Sequence, residues 1–393
     1  MQCDLVLEGG GAKGAAYVGA LRVLEQRGYR VRRGVGTSAG AIALVGIAIG
    51  LCAEQVNDLL CEKDFAGKSV FESFMDAPSE SAFSEEEIQQ STLFKLFQGI
   101  DLPLVPDAWE SSVDAKIFGA LNQSEIFRML FSLEERGGLF EGNAFLTWLR
   151  SVLARSGINP ESTLAELYAR TGFDLNMVCV DSTTGLKIVL NHRTAPALPV
   201  VWATRCTMSI PFLWQEVLWR SEWGSYLGQD IHGHAIIDGG VASNFALDLF
   251  LDSSDPLVQE VMGCEPASDT AVGCEPASDT AVGCEPASDT AVGQVPVFGL
   301  LIDESLAVPN EPELISDDAW TSLQTVSRVK RLVDAMRNAT DNAYMRLYAR
   351  NVCRLPAKGY KTTEFEMSDS RRNSLIGAAE QATKNFLLGF EMK

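Results

Sequence analysis

A serine between two glycines and an aspartate before two glycines are the residues of this sequence best placed to do chemistry. Gly36-Thr37-Ser38-Ala39-Gly40 matches G-x-S-x-G, and Asp238-Gly239-Gly240 follows the apolar pair Ile236-Ile237. A serine forced onto a sharp strand-to-helix turn needs neighbours without a Cβ, so that strand and helix can pass closely. Such a turn lifts the hydroxyl above the sheet edge and sets it at a helix N-terminus, where the dipole and free N–H groups favour developing negative charge. Glycine and serine are common in turns, so the motif means little by itself. Here it stands between a strand expected over Val31–Val35 and an apolar helix expected over Ala41–Leu51, the context that a nucleophile elbow requires.

A nucleophilic serine needs a base. The chain has three histidines, His192, His232 and His234. His234 lies four residues before Asp238 on one expected strand, about 13 Å away at ~3.3 Å per residue, and cannot bridge Asp238 to a serine unless that strand breaks. His232 is farther still, and nothing local marks His192, so all three read as surface or structural. A dyad remains, in which Asp238 contacts the serine directly and Gly239 and Gly240 allow close backbone approach.

A third glycine cluster, E-G-G-G-A-K-G at 8–14, fits the G-x-G-x-x-G spacing of a dinucleotide turn at Gly9, Gly11 and Gly14. That reading wants an acidic residue roughly 20 positions on, where this chain has Arg30, Arg32 and Arg33. The arginines leave an NADP-linked oxidoreductase open as a rival. A nucleophile-elbow turn directly after the second strand fits better with loop amides that form an oxyanion hole beside Ser38. A phosphate and a tetrahedral oxyanion both ask for bare, convergent N–H groups.

The elements that must position these groups alternate. Asp4–Glu8 reads as a buried strand, followed by the glycine turn and a helix carrying Tyr17, Ala20, Leu21 and Leu24, with Gly28 at its C-terminal cap. Strand, glycine turn and helix then repeat, the rhythm of an α/β fold with a mainly parallel sheet. Further on, strands are expected at Asp174–Asp181, Leu186–Asn191 and Val295–Ile302. Helices are expected from about Gly142 to Gly157, over Val200–Met208, Asp317–Arg350 and Ser370–Phe390, and an extended stretch at Val352–Glu366. Trp214, Trp219, Trp223 and Tyr226 fall in an expected hairpin or loop. Residues 65–135 read as a helical or irregular insertion, either a cap over a lipid site or a satellite helix packing its apolar face. Three identical copies of G-C-E-P-A-S-D-T-A-V at 263–292 read as a solvated, mobile loop. No linker divides the chain.

Totals exclude several classes. With 52 acidic against 32 basic residues, a formal charge of −20 argues against nucleic acid and against electrostatic docking on anionic lipid. Lipid contact would rest on apolar insertion, with the stretches at 94–109 and 212–226 as candidates and core packing as their alternative. Nine cysteines without a C-x-x-C pair, and few histidines, do not make a zinc site. Their odd number suits a reducing compartment. The N-terminus lacks the pattern of a signal peptide, and the longest apolar run, Ala41–Ala53, is shorter than the ~20 residues of a membrane span. The expectation is a chain cytoplasmic at synthesis that meets membranes peripherally, with signal-independent secretion left open.

G-G-G-A-K-G, G-T-S-A-G and D-G-G, in this order and at these separations, resemble the patatin-like phospholipase family. E-L-Y-A-R-T-G-F-D-L-N-M-V-C-V-D (166–181), C-T-M-S-I-P-F-L-W (206–214) and Y-K-T-T-E-F-E-M-S (360–368) are also similar to family segments. The resemblance implies a three-layer α/β fold with a mainly parallel central sheet flanked by helices, and one domain over 1–393. It implies a lipid acyl hydrolase of the phospholipase A or lysophospholipase type, working without metal or nucleotide on phospholipids or other acyl lipids. Ser38 would be the nucleophile, Asp238 the base, and the backbone of Gly9, Gly10, Gly11, Ala12 and Lys13 the oxyanion hole, with Gly14, Gly36, Gly40, Gly239 and Gly240 as motif glycines. The family usually has arginine where this chain has Lys13, a change that a backbone-only role tolerates. The remaining rivals are a lipid-binding pseudoenzyme, against which intact Ser38 and Asp238 argue, and a bacterial effector silent until a protein or small-ligand activator binds.

Overall fold

The computed structural model describes residues 1–65, 67–98, 122–252, 254–263, 295–309, 345–362 and 364–391. Strands β1 (Gln2–Leu7), β2 (Arg30–Gly36), β4 (Asp174–Asp181), β9 (Val297–Ala307) and β10 (Val352–Lys358) pair in parallel, in the order β10-β9-β1-β2-β4. The antiparallel partners of β4 are β5 (Leu186–Leu190) and β8 (Ala235–Asp238), and the short β7 (Val217–Leu218) pairs with β8. Two further strands, β3 (Gly138–Phe140) and β6 (Phe212–Trp214), form a separate parallel pair. The result is a mixed α/β fold with a mostly parallel central sheet flanked by helices.

The register positions the three motifs. Leu7 pairs with Gly36, so β1 and β2 end at one level and both glycine turns leave the same sheet edge. Met177 of β4 pairs with Gly36 on one side and with Leu190 of β5 on the other. Cys179, Val180 and Asp181 pair with both β5 and β8. A strand has only two edges, so β2 and β8 share the edge that β5 leaves. They meet end to end: β2 rises to Gly36 opposite Met177, and β8 descends to Asp238 opposite Cys179. One residue, Val178, separates the two levels, which are about 7 Å apart along β4.

Helix α1 (Ala16–Gln26) packs on the C-terminal helix Asp369–Glu391, and α2 (Ala39–Ala48) on β2 and β4. Every residue of α2 from Gly40 to Gly46 is buried, which explains an apolar run too short to cross a membrane. No helix among the described residues is long and apolar enough to do so. The expected turn at 9–14 is tighter than the sequence suggests, with a 3-10 helix over Gly11–Ala15.

The described parts of 65–135 hold a 3-10 turn at Val70–Phe74 and helices at Glu85–Gln90, Thr92–Gln98 and Glu125–Arg136. Phe83, Phe94 and Phe131 form a small buried cluster of their own there. Residues 99–121, the decapeptide repeats from 264 on and most of the helix expected over Asp317–Arg350 lie outside the described residues. The extended stretch expected to Glu366 ends at Lys358 as a strand. The tryptophans at 214–223 do not form a hairpin. They are buried, because Trp214 donates its indole N–H to the Phe74 carbonyl (2.8 Å) and Trp219 to the Gly224 carbonyl (2.8 Å). Core packing therefore accounts for them, and in this stretch Phe212 and Leu218 are the large apolar side chains left exposed.

Candidate active site

Ser38 joins β2 to α2 with φ +50° and ψ −120°. A non-glycine residue held there costs about 1–3 kcal/mol and persists only where its surroundings over-determine it. The surroundings do so. A Cβ on Gly36 would lie 2.7 Å from the Ala41 nitrogen, and one on Gly40 would lie 2.5 Å from the Leu7 carbonyl oxygen. The Ser38 N–H donates to Thr207 Oγ1 (3.0 Å), and the Thr207 hydroxyl donates to the Val178 carbonyl (2.6 Å). Thr207 thus fastens the elbow to the one β4 residue between Gly36 and Asp238.

Asp238 is buried at the end of β8. Its N–H donates to the Ser209 carbonyl (2.9 Å), and its Oδ1 accepts the Gly240 N–H (2.7 Å). Gly239 passes so close to β4 that a Cβ would lie 2.3 Å from the Val178 carbonyl oxygen. Behind Ser209 stands Arg205, fully buried, whose guanidinium donates to Ser209 Oγ and to the carbonyls of Glu141 (2.8 Å) and Gln215 (3.0 Å). Burial pulls Arg205 down to about 10, which leaves it charged at neutral pH and able to brace the loop that aligns Asp238.

Asn244 connects the third motif. Its Nδ2 donates to Glu8 Oε1 (2.8 Å) and to the Gly9 carbonyl (2.8 Å), and its own carbonyl accepts the Gly9 N–H (3.1 Å). Asn244 Oδ1 fills the space that a Cβ on Gly9 would need (2.3 Å) and borders that of Gly240 (2.9 Å). Ser38 Cβ lies 3.3 Å from the Gly9 position and Asp238 Oδ1 3.0 Å from the Gly240 position. Ser38, Gly9, Asn244, Gly240 and Asp238 are therefore consecutive neighbours around one small space.

The loop amides divide into two sets. Those of Gly9, Ala12 and Lys13 are used within the protein, on the carbonyls of Asn244, Thr362 (2.9 Å) and Gly10 (3.2 Å). No hydrogen bond among the described residues takes the N–H of Gly10 or Gly11. Gly11 has φ +54° and faces the Thr362 carbonyl at 2.2 Å from a Cβ position, so only glycine fits. The Lys13 side chain is buried and ion-paired to Glu304, away from any service to the loop. Gly14 packs its backbone on Ala39, 3.2 Å from a Cβ position.

No histidine joins this group. His234 turns to Asp181, with Nδ1 2.8 Å from Oδ2. His192 stacks on Tyr168 (3.7 Å between centroids) beside Asp174 at the far end of β4, where burial and Arg193 hold its pKa below the ordinary value. His232 is exposed. Arg32 and Arg33 pair with Asp4 (2.9 and 2.6 Å) at the start of β1, the opposite end of the strands from the glycine loop. The dinucleotide reading loses its phosphate ligands with that pairing. Among the described residues no cluster of three or more His, Cys, Asp or Glu forms a metal site.

Sequence reasoning missed Thr207, Arg205 and Asn244. The first two lie in or beside the 206–214 segment, and Asn244 lies six residues after Asp238, where a polar Ser243-Asn244 pair interrupts an otherwise small and apolar run.

The family model of patatin-like phospholipases matches residues 5–251. The uncharacterized protein YqhO of Bacillus subtilis (strain 168) is 28% identical over 256 residues, which is 64% of this chain and 67% of that protein. Lysophospholipase NTE1 of Mycosarcoma maydis is 34% identical over 113 residues, 28% of this chain but only 6% of that protein. Among solved structures, VipD from Legionella pneumophila aligns with a TM-score of 0.45 at 16% identity, over 99% of this chain and 67% of VipD. The type III effector protein ExoU aligns with a TM-score of 0.39 at 15% identity, over 100% of this chain and 54% of ExoU.

Proposed function

We propose, since the chain belongs to the patatin-like phospholipase family, that it cleaves fatty-acyl esters of phospholipids through a Ser38–Asp238 dyad. A lipid ester hydrolase is what membership supports in general; the dyad and the phospholipase A or lysophospholipase type are our reading. The observation that supports it is the end-to-end meeting of β2 and β8 on one edge of β4, with the strained serine following one strand end and the buried carboxylate at the other, while His234 and His192 have partners elsewhere and His232 is exposed. We also read the chain as one domain, because β1 and β10, from its two ends, lie in one sheet.

In this mechanism Ser38 Oγ attacks the ester carbonyl carbon as its proton passes to Asp238. The N–H groups of Gly10 and Gly11 hold the oxyanion, while Gly9, Ala12 and Lys13 frame the loop. Collapse expels the lysolipid alkoxide, which takes the proton from Asp238. Water, giving a proton to Asp238, then attacks the acyl-enzyme; collapse expels Ser38 Oγ, which takes that proton back from Asp238, and the fatty acid leaves.

Fatty-acid release from mixed phospholipid vesicles, comparing the wild type with Ser38→Ala, tests this reading. Release by the wild type and its loss in a folded Ser38→Ala is the expected result; release that survives the substitution overturns the nucleophile. A second reading, an enzyme held silent until an activator binds, draws on the Thr362 carbonyl that occupies the Ala12 N–H. Its mark is wild-type release that begins only when cell extract is added and still requires Ser38.

A further inference from the structure

Two cavities lie against the glycine loop, each of about 40 Å³. A pocket that encloses an organic ligand usually measures about 300–1,000 Å³, so neither takes an acyl chain by itself. The first reaches Ser38 and is walled by Phe74, Met208, Leu213 and Trp214. The second lies beyond it, against Ala15, Leu60 and Met367. Five residues line both: Gly11, Ala39, Ile42, Phe71 and Phe365. Three of these have side chains large enough to fill space. Ile42 is fixed in buried α2, so the partition that can move is the pair of rings.

The two rings are held unequally. Phe71 sits in the 3-10 turn Val70–Phe74 and meets Trp148 (5.5 Å) and Phe74 (4.9 Å). Phe365 lies in the connection between β10 and the C-terminal helix, and among the described residues its one ring contact is with Phe71, at 6.3 Å and nearly parallel. The charges on the second cavity are already satisfied. Arg372 donates to Asp369 (3.0 Å) and to the Met367 carbonyl (3.1 Å), and Glu364 accepts from Arg371. The unclaimed wall on both sides of the rings is apolar.

We propose that the two cavities are consecutive stretches of one acyl-chain path, and that Phe365, leaning on Phe71, is the gate that sets the length of chain Ser38 accepts. The proposal rests on the acyl-hydrolase reading. Each methylene that finds apolar wall raises binding about fourfold. The gain stops where the chain meets the rings.

The test is the dependence of kcat/KM on chain length, with p-nitrophenyl esters from C4 to C16, in the wild type, Phe365→Ala, Phe365→Leu and Phe365→Trp. In the wild type log(kcat/KM) rises with length and then levels. Phe365→Ala and the milder Phe365→Leu move that break to longer chains, with gains of tenfold or more for esters beyond it, and Phe365→Trp moves it to shorter ones. A general loss of folding lowers all lengths together and does not shift the break in opposite directions. In parallel, C6 to C16 fatty acids displace a fluorescent probe from the same variants carrying Ser38→Ala, a readout that needs no catalysis. Breaks that coincide in all variants by both readouts overturn the gate. Breaks that shift in binding while the wild type cleaves no ester, with cell extract added or without it, keep the path and sink the hydrolase reading. Cleavage with an unmoved break does the reverse.

Discussion

Asp181 and Asp238 lie on neighbouring antiparallel strands, one at the end of β4 and the other at the end of β8. Asp181 has what a catalytic triad uses, a histidine whose Nδ1 is 2.8 Å away. Asp238 has none, and its Oδ1 instead accepts a backbone N–H from its own glycine turn. By side-chain partners alone, Asp181 looks like the reactive group. By position, the proposed dyad gives that role to Asp238. The Asp181 carboxylate also takes the N–H groups of Thr183 (3.0 Å) and Thr184 (3.3 Å) and the Thr184 hydroxyl (2.8 Å), and it builds the turn into β5. Burial works to raise its pKa, but the hydrogen bonds from His234 and Thr184 together bring it below the ordinary value. A carboxylate so stabilised is a poor base. Asp238 stands where a second strand end delivers a strained serine, and that placement distinguishes it.

Exchanging the charges one at a time tests the contrast most severely. Asp238→Asn should lower kcat/KM for ester hydrolysis by about 10²–10⁴-fold, the usual contribution of a positioned base. Asp181→Asn should leave it within about twofold of the wild type, since nothing of the Asp181 turn touches the substrate path. If Asp181→Asn were the damaging change, the histidine pair would be the catalytic one and the dyad would fall.

The two regions also differ in how tightly their backbones are held. At the Asp181 turn no atom lies within 4 Å of a Cβ position on Gly185, where only the φ of +75° favours glycine, whereas Gly36 and Gly40 beside Ser38 are fixed by the backbone opposite. Gly40→Ala pushes a Cβ to 2.5 Å from the Leu7 carbonyl oxygen and 2.8 Å from that of Glu8. It should destabilise the fold by about 1–3 kcal/mol, the range for overpacking, and reduce ester turnover further by tilting the elbow. Gly14→Ala meets the Ala39 Cβ at 3.2 Å and the Tyr17 ring at 3.7 Å, side chains both, and should cost much less. Urea midpoints of the two variants decide this. Equal losses would mean that α2 slides to accommodate the methyl group and that the elbow is not over-determined.

That glycine pattern is why the turns of the candidate site are legible in the sequence. Close backbone approach leaves only glycine as an option, so G-x-S-x-G and D-G-G carry their geometry in their spelling, and the strands Asp174–Asp181 and Leu186–Leu190 are marked by mainly apolar stretches, broken by Asn176 and Lys187, between turn residues. The end-to-end meeting of β2 and β8 was not legible, because register across three strands depends on packing far apart in sequence. Thr207 and Asn244 escaped for a related reason: each acts through a single hydrogen-bonding atom placed by tertiary contacts, and a lone Thr or Asn has no period or spacing to announce it. The buried tryptophans show the converse. Their clustering suggested a lipid-facing surface, yet indole N–H donors with carbonyl partners fit a core equally well.

Asn244 offers a graded test between the two extremes. Asn244→Ala removes the donor to Glu8 and to the Gly9 carbonyl and leaves Glu8 Oε1 without it. A buried acceptor stripped of its donor costs about 1–3 kcal/mol, and because Glu8 is half-buried the low end of that range is expected. The loop should also loosen, lowering kcat about tenfold with little change in KM, because Asn244 positions the donors and does not itself bind the acyl chain. A rise in KM at constant kcat would assign Asn244 to substrate binding.

The smallest effect expected is on pH-dependent stability, and it belongs to Asp181. Its folded pKa lies below the ordinary value, so the folded state binds the proton less readily than the unfolded chain. The stabilisation is therefore complete above the unfolded carboxyl value of about 3.9 and is lost as the pH falls through the lower folded value. Asp181→Asn removes that contribution. Since His234 is about a quarter exposed at 27%, the loss at pH 7 should be about 1 kcal/mol, less than a fully buried charged hydrogen bond gives. The gap between the urea midpoints of wild type and variant should narrow steadily from pH 5 towards pH 3, while the relative hydrolysis rate at pH 7 stays unchanged. A gap that widens on acidification would mean that Asp181 is held protonated in the folded state. It would then be Asp181, set between a histidine and two threonines, that had the pKa of a working acid or base, and the contrast with Asp238 would have to be drawn the other way round.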